Sequence, residues 1–178
     1  MKRFALNCLA SGLAGGLLSH LVSSVRSRAE HGRGGLPMHA VSHIAWNDDP
    51  KSHRGVHAHN WAIGTALHHG ASVFWAAFFE AFYGRDAERS TASALVGGAT
   101  VAAAAYVTDY HLVSDRFKPG FEAHLSNRSL VAIYAALAIG LAAGARLRGL
   151  YRHQIKNRDE RHERRNAQRS PRTVVAPE

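Results

Sequence analysis

Thirteen histidines in 178 residues are the groups in this chain best able to do chemistry. They are unevenly spaced. His39 and His43 stand four apart, as do His53 and His57; His59 follows, and His68 and His69 are adjacent. Two imidazoles one helical turn apart can reach a single metal ion. Asp109 and His111 add a carboxylate and a further ring. The candidate ligand pool is therefore His39, His43, His57, His59, His68, His69, Asp109 and His111. Imidazole with carboxylate suits iron, zinc, manganese or Cu(II). The single cysteine, Cys8, excludes an internal disulfide and thiolate-rich zinc sites. The expected cofactor is a transition metal, iron or zinc, supporting redox or oxygenation chemistry. Haem is a second expectation, clamped between His20 and either His68 or His69 on facing helices. A third needs no cofactor: a structural or accessory subunit, or a small transporter, with Glu80, His69 and Asp109 as a proton relay or hydrogen-bond network.

These residues must be positioned by elements that the charge pattern outlines. Four windows, 4–25, 61–79, 90–108 and 129–145, are nearly free of charge. About 20 helical residues cross a bilayer core of roughly 30 Å. The sequence thus predicts an all-α integral membrane four-helix bundle, with spans over about 4–25, 61–83, 90–112 and 129–146. The first stretch has Lys2 and Arg3 before it but no A-x-A pattern after it, so it reads as a retained span rather than a cleaved signal. Residues 1–148 form the membrane domain and 149–178 a basic cytoplasmic tail with a disordered end. From 146 onward the chain carries ten basic residues and four acidic ones, 10 − 4 = +6 of the net +9. By the positive-inside rule both termini face the cytoplasm, in a bacterial inner membrane. That topology brings eleven of the thirteen histidines to the opposite, external face.

The histidine-rich loop 26–59 is expected to hold one short interfacial helix. Pro37 would start it, Asn47-Asp48-Asp49-Pro50 would stop it, and His39, His43 and Trp46 would share a face. His39-x-x-x-His43 resembles the first histidine box of membrane desaturases and hydroxylases over five residues, while neither HxxHH box is present. The spacing of small residues predicts how the spans meet. Gly12, Gly16, Ser19 and Ser23 line one stripe, and Ala136, Gly140 and Gly144 another. A third stripe, Gly98, Ala102 and Ala105, points Asp109 at a neighbouring helix, with Arg116 or a histidine as its tethering partner.

The partners expected are the lipid bilayer, anionic headgroups at the basic tail, and a second copy or membrane-complex subunit meeting the small-residue stripes. Nucleic acid is disfavoured, because the tail has no interleaved aromatics apart from Tyr151. Ser42 beside His43 is only a dipeptide, and Cys8 lies far from the histidines, so nucleophilic catalysis has little support. No motif names a substrate or reaction.

Overall fold

A computed structural model describes residues 2–46, 49 and 57–169, with side chains to 165. Among them every regular element is helical. In chain order these are α1 (Lys2–His31), α2 (Leu36–Val41), α3 (His43–Trp46), α4 (Ala58–Phe82), α5 (Gly84–Arg89), α6 (Thr91–Val107) and α7 (Asn127–Arg169). A π-helical turn, Thr108–Leu112, extends α6, and two 3₁₀ turns, Asp115–Phe117 and Phe121–Ala123, lead to α7. His53, most of the Asn47–Pro50 stop signal and the expected disordered end fall outside the described residues.

Three helical stretches, Lys2–His31, Thr91–Leu112 and Asn127–Arg165, are long and apolar enough to cross a membrane. Helix α4 is not among them. Its length suffices, but His59, Asn60, His68, His69 and Glu80 lower its mean hydropathy. The described chain also replaces the loop 26–59 in part: α1 continues six residues past the expected boundary, and two short helices follow.

Helix α1 packs inside out relative to a helix of a protein folded in water. On α1 the buried residues are Cys8, Ser11, Gly12, Gly15, Gly16, Ser19, Ser23 and Ser27. The leucines between them face outward; Leu17 is 62% exposed. In lipid, large apolar side chains gain nothing by turning inward, while small ones let backbones approach. An added Cβ at Gly140 would lie 2.5 Å from the Gly15 Cα, and one at Gly98 would lie 2.4 Å from the Ala138 carbonyl oxygen. The three small-residue stripes are thus spent on seams within one chain.

Neighbours run antiparallel. Ser11 meets Glu80 and His20 meets Trp61 across α1 and α4. Arg148 reaches Asn7 and Arg26 reaches Ser129 across α1 and α7. Arg146 meets Thr91 and Tyr134 meets Asp109 across α6 and α7. At the end of α1, the Glu30 carboxylate accepts hydrogen bonds from the Ser126 backbone N–H (2.9 Å), the Ser126 hydroxyl (2.9 Å) and the Ser129 hydroxyl. A carboxylate there complements the positive end of the α7 dipole. The Pro119-Gly120 turn forms as its residues dictate, with Gly120 at φ 80°, a left-handed conformation that side chains resist.

Candidate functional site

The described histidines outside α7 gather at the end of the bundle where α1 finishes and α4 begins, but they do not converge on one point. His20, His68 and His69 form a triangle with ring centroids 5.5–6.0 Å apart, and Trp61 lies 5.8 Å from His20. His68 Nε2 is 3.2 Å from the Gly16 carbonyl and 3.1 Å from the Ser19 hydroxyl. A carbonyl can only accept, so Nε2 is the nitrogen that carries the proton. His39 faces His57 at 6.0 Å, His59 lies against Trp46 at 5.7 Å, and His111 lies against Tyr106 at 5.9 Å. Among the described residues, no group of three or more His, Cys, Asp or Glu side chains is placed to hold a metal ion. The eight expected ligands are therefore dispersed over separate contacts.

The expected single helix carrying His39, His43 and Trp46 is corrected in two respects. First, α2 ends at Val41. The Ser42 hydroxyl donates to the His39 carbonyl at 2.7 Å and the Ser42 N–H reaches the same oxygen at 3.2 Å. Local bonding of this kind competes with helix continuation. His43 then starts α3, and its Nδ1 donates to the Ala40 carbonyl at 2.7 Å, leaving that nitrogen unable to ligate. Second, α2 does not lie on a surface: all its residues are buried, and it docks on α4. Gly64 makes the docking fit, since an added Cβ would come within 1.7 Å of the Met38 carbonyl oxygen. Trp46 remains exposed.

Asp109 does face a neighbouring helix, and its partner is a tyrosine. The Tyr134 hydroxyl of α7 donates to Asp109 Oδ2 at 2.6 Å. The π turn is what aims it: the Val113 N–H bonds to the Thr108 carbonyl at 3.0 Å, five residues back, which widens the last turn of α6. Asp109 and Tyr134 line a largely apolar chamber of ≈ 220 Å³ to which α1, α2, α3, α4, α6 and α7 all contribute. His68 and Trp75 enter from α4, and Phe117 and Phe121 roof it. Beside the roof, the Lys118 ammonium donates to Asp115 at 2.6 Å, holding that carboxyl below its usual range.

At the other end of the bundle, Glu80 is not poised as a relay. Its side chain, 1% exposed, is 2.6 Å from Arg148 Nη2 and accepts from the Ser11 hydroxyl. Arg148 Nη1 also donates to that hydroxyl at 2.7 Å. Glu88 receives Arg152 at 2.7 Å, and Arg152 in turn reaches Asn7 at 2.9 Å. Glu80 lies eleven residues from His69, about 16 Å along α4, so these two side chains of the expected Glu80–His69–Asp109 relay are not in direct contact.

A haem between His20 and His68 or His69 does not fit this arrangement. At that level α1 and α4 touch: a Cβ on Gly16 would be 2.4 Å from His69 Nδ1, and one on Gly12 would be 2.6 Å from the Val73 Cα. No slot remains for a flat macrocycle. Sequence reasoning passed over Tyr134 and Arg148. Tyr134 is the one hydroxyl-bearing aromatic within 129–146, a signal that pointed to it. Arg148 looked like any other of the ten basic residues.

Fold and site together define an all-helical protein, consistent with membrane association, with polar centres at opposite ends of its helices. No family model matches the chain, and no curated protein or solved structure matches it.

Proposed function

We propose that the chain crosses a bacterial inner membrane four times, with both termini cytoplasmic, and binds a small ligand in the chamber at its histidine-rich end. The observation that carries this reading is the chamber itself: ≈ 220 Å³, mostly apolar, with Ser19, His68, Ser72, Asp109 and Tyr134 among its polar groups. Ligand sites characteristically combine apolar walls with a few placed polar groups. That α4 is a span is supported by its antiparallel course along α1, from Ser11–Glu80 to His20–Trp61. Its His68 and Glu80 face neighbouring helices rather than lipid, as ionisable groups in membranes do. The basic extension of α7, with Arg85 and Arg89 of α5 at the same end, supports the orientation and a contact with anionic headgroups.

The test is thermal unfolding of the full chain in detergent, titrated with 2-phenylethanol and 2-phenylethylamine. Saturable stabilisation by either is the expected result, reaching about 1.4 kcal/mol at ten times Kd. Ala71→Leu, at the chamber's edge, should remove it. A response to both compounds that never saturates, or that survives Ala71→Leu, sinks the reading.

A second reading rests on the His20–His68–His69 triangle. A zinc or ferrous ion at its centre would require His68 to turn away from Gly16. After dialysis against zinc, the purified chain should then retain about one ion per molecule, coordinated by the three rings, and His69→Ala should release it. Zinc content unchanged by that substitution removes the metal reading.

A further inference from the structure

We infer that the ligand class taken by this chamber is a small organic ammonium with an aromatic or aliphatic body. The inference rests on the chamber reading above and goes beyond it by assigning the charge. Four of the side-chain hydrogens at the chamber are already spent on the protein. The Ser19 hydroxyl donates to the Gly15 carbonyl at 2.8 Å. The Ser72 hydroxyl donates to the His68 carbonyl at 2.9 Å. The Tyr134 hydroxyl goes to Asp109, and His68 Nε2 goes to Gly16.

What remains, beside the Trp75 indole N–H, is acceptor capacity. Asp109 Oδ1 is open, and the second nitrogen of the neutral His68 ring carries a lone pair. A ligand carbonyl or carboxylate would find the Trp75 indole N–H alone; an N–H or ammonium would find two acceptors. Charge points the same way. Among the described residues no cation pairs with Asp109. Glu80, the other carboxylate facing the bundle interior, has Arg148. A carboxylate at membrane depth without a counter-ion is costly, and such groups mark ligand or ion pathways. The aromatic faces of Trp75, Tyr134, Phe117 and Phe121 complete the match, because ring quadrupoles attract a desolvated cation. Among the described residues, this is where a largely apolar cavity and a carboxylate without a cation partner coincide.

The experiment compares 2-phenylethylamine, an ammonium at neutral pH, with its neutral near-isostere 2-phenylethanol on the full chain in detergent. Tryptophan fluorescence, with Trp75 in the chamber wall, reads both titrations. The amine should bind at least about tenfold more tightly, the size of one hydrogen bond to a charged group. Asp109→Asn should bring the amine down to the affinity of the alcohol. Equal affinities in the unsubstituted chain, with both lost in Ala71→Leu, would overturn the ammonium assignment and leave the chamber reading standing. Saturable binding of neither compound would overturn both. Because the amine–alcohol comparison needs no variant, the outcome does not depend on how well Asp109→Asn folds.

Discussion

Arg148→Met is expected to destabilise the folded chain by about 3–5 kcal/mol, the usual consequence of stranding one member of a buried ion pair. For a chain of this size that corresponds to a fall in Tm of roughly 6–20 °C, measured by circular dichroism in detergent. The reasoning starts at Glu80, whose side chain is 1% exposed and whose partners are Arg148 and Ser11. Removing the guanidinium leaves the buried carboxylate with the Ser11 hydroxyl in place of its counter-ion. Three helices meet at this point: α1 through Ser11, α4 through Glu80 and α7 through Arg148. Loss of the pair therefore loosens the end of the bundle opposite the chamber. Glu80→Gln combined with Arg148→Met should recover part of the loss, because the stranded charge is then gone too. A single Arg148→Met chain melting within a degree of the parent would mean that the pair holds nothing.

Gly64→Val should release α2 from α4. The clash is with backbone, the Met38 carbonyl oxygen at 1.7 Å and its carbon at 2.8 Å from the added Cβ, so no side-chain rotation relieves it. Overpacking of this kind costs about 1–3 kcal/mol or more. The change should be local. Met38 and Val41 leave a cluster they share with Phe121, Leu125, Leu130 and Ile133, while the seams of α1, α6 and α7 stay closed. Hydrogen exchange provides the measurement: amides of Leu36–Val41 lose protection and those of α7 keep it. Because Val41 and Ile44 also line the chamber, 2-phenylethylamine should bind more weakly to the same variant. Unchanged exchange across α2 would show that the docking is looser than the distances imply.

How much of this could be read from the residues depended on the physical reach of each signal. The charge-free windows marked α1, α6 and the first part of α7, because a run without charge needs no neighbour to be recognised. The stripe of Gly98, Ala102 and Ala105 correctly turned Asp109 toward another helix. Its partner there, Tyr134, was missed because the choice between Arg116, a histidine and a tyrosine depends on the register between α6 and α7. That register is set by close backbone approaches such as Gly98 on Ala138. The His39–His43 pair was misjudged for a different reason. Helical spacing predicts a shared face only while the helix continues, and Ser42 ends it with its own hydroxyl. The buried placement of α2 depended on Gly64, 26 residues away from Met38, which nothing local announces. Arg148 was hidden by its company, one basic residue among ten. A cavity such as the chamber belongs to no single element, so no window of sequence could display it.

Helix α7 runs without a proline from Asn127 to Arg169, so both ends of the molecule hang on one rod. Tyr134 sits in the chamber wall, and Arg169 lies 35 residues further on, about 52 Å at the helical rise. A one-degree tilt about Tyr134 displaces the far end by about 0.9 Å by that same length. The rod is clamped 14 residues along, where Arg148 meets Glu80, and its later arginines extend beyond that contact.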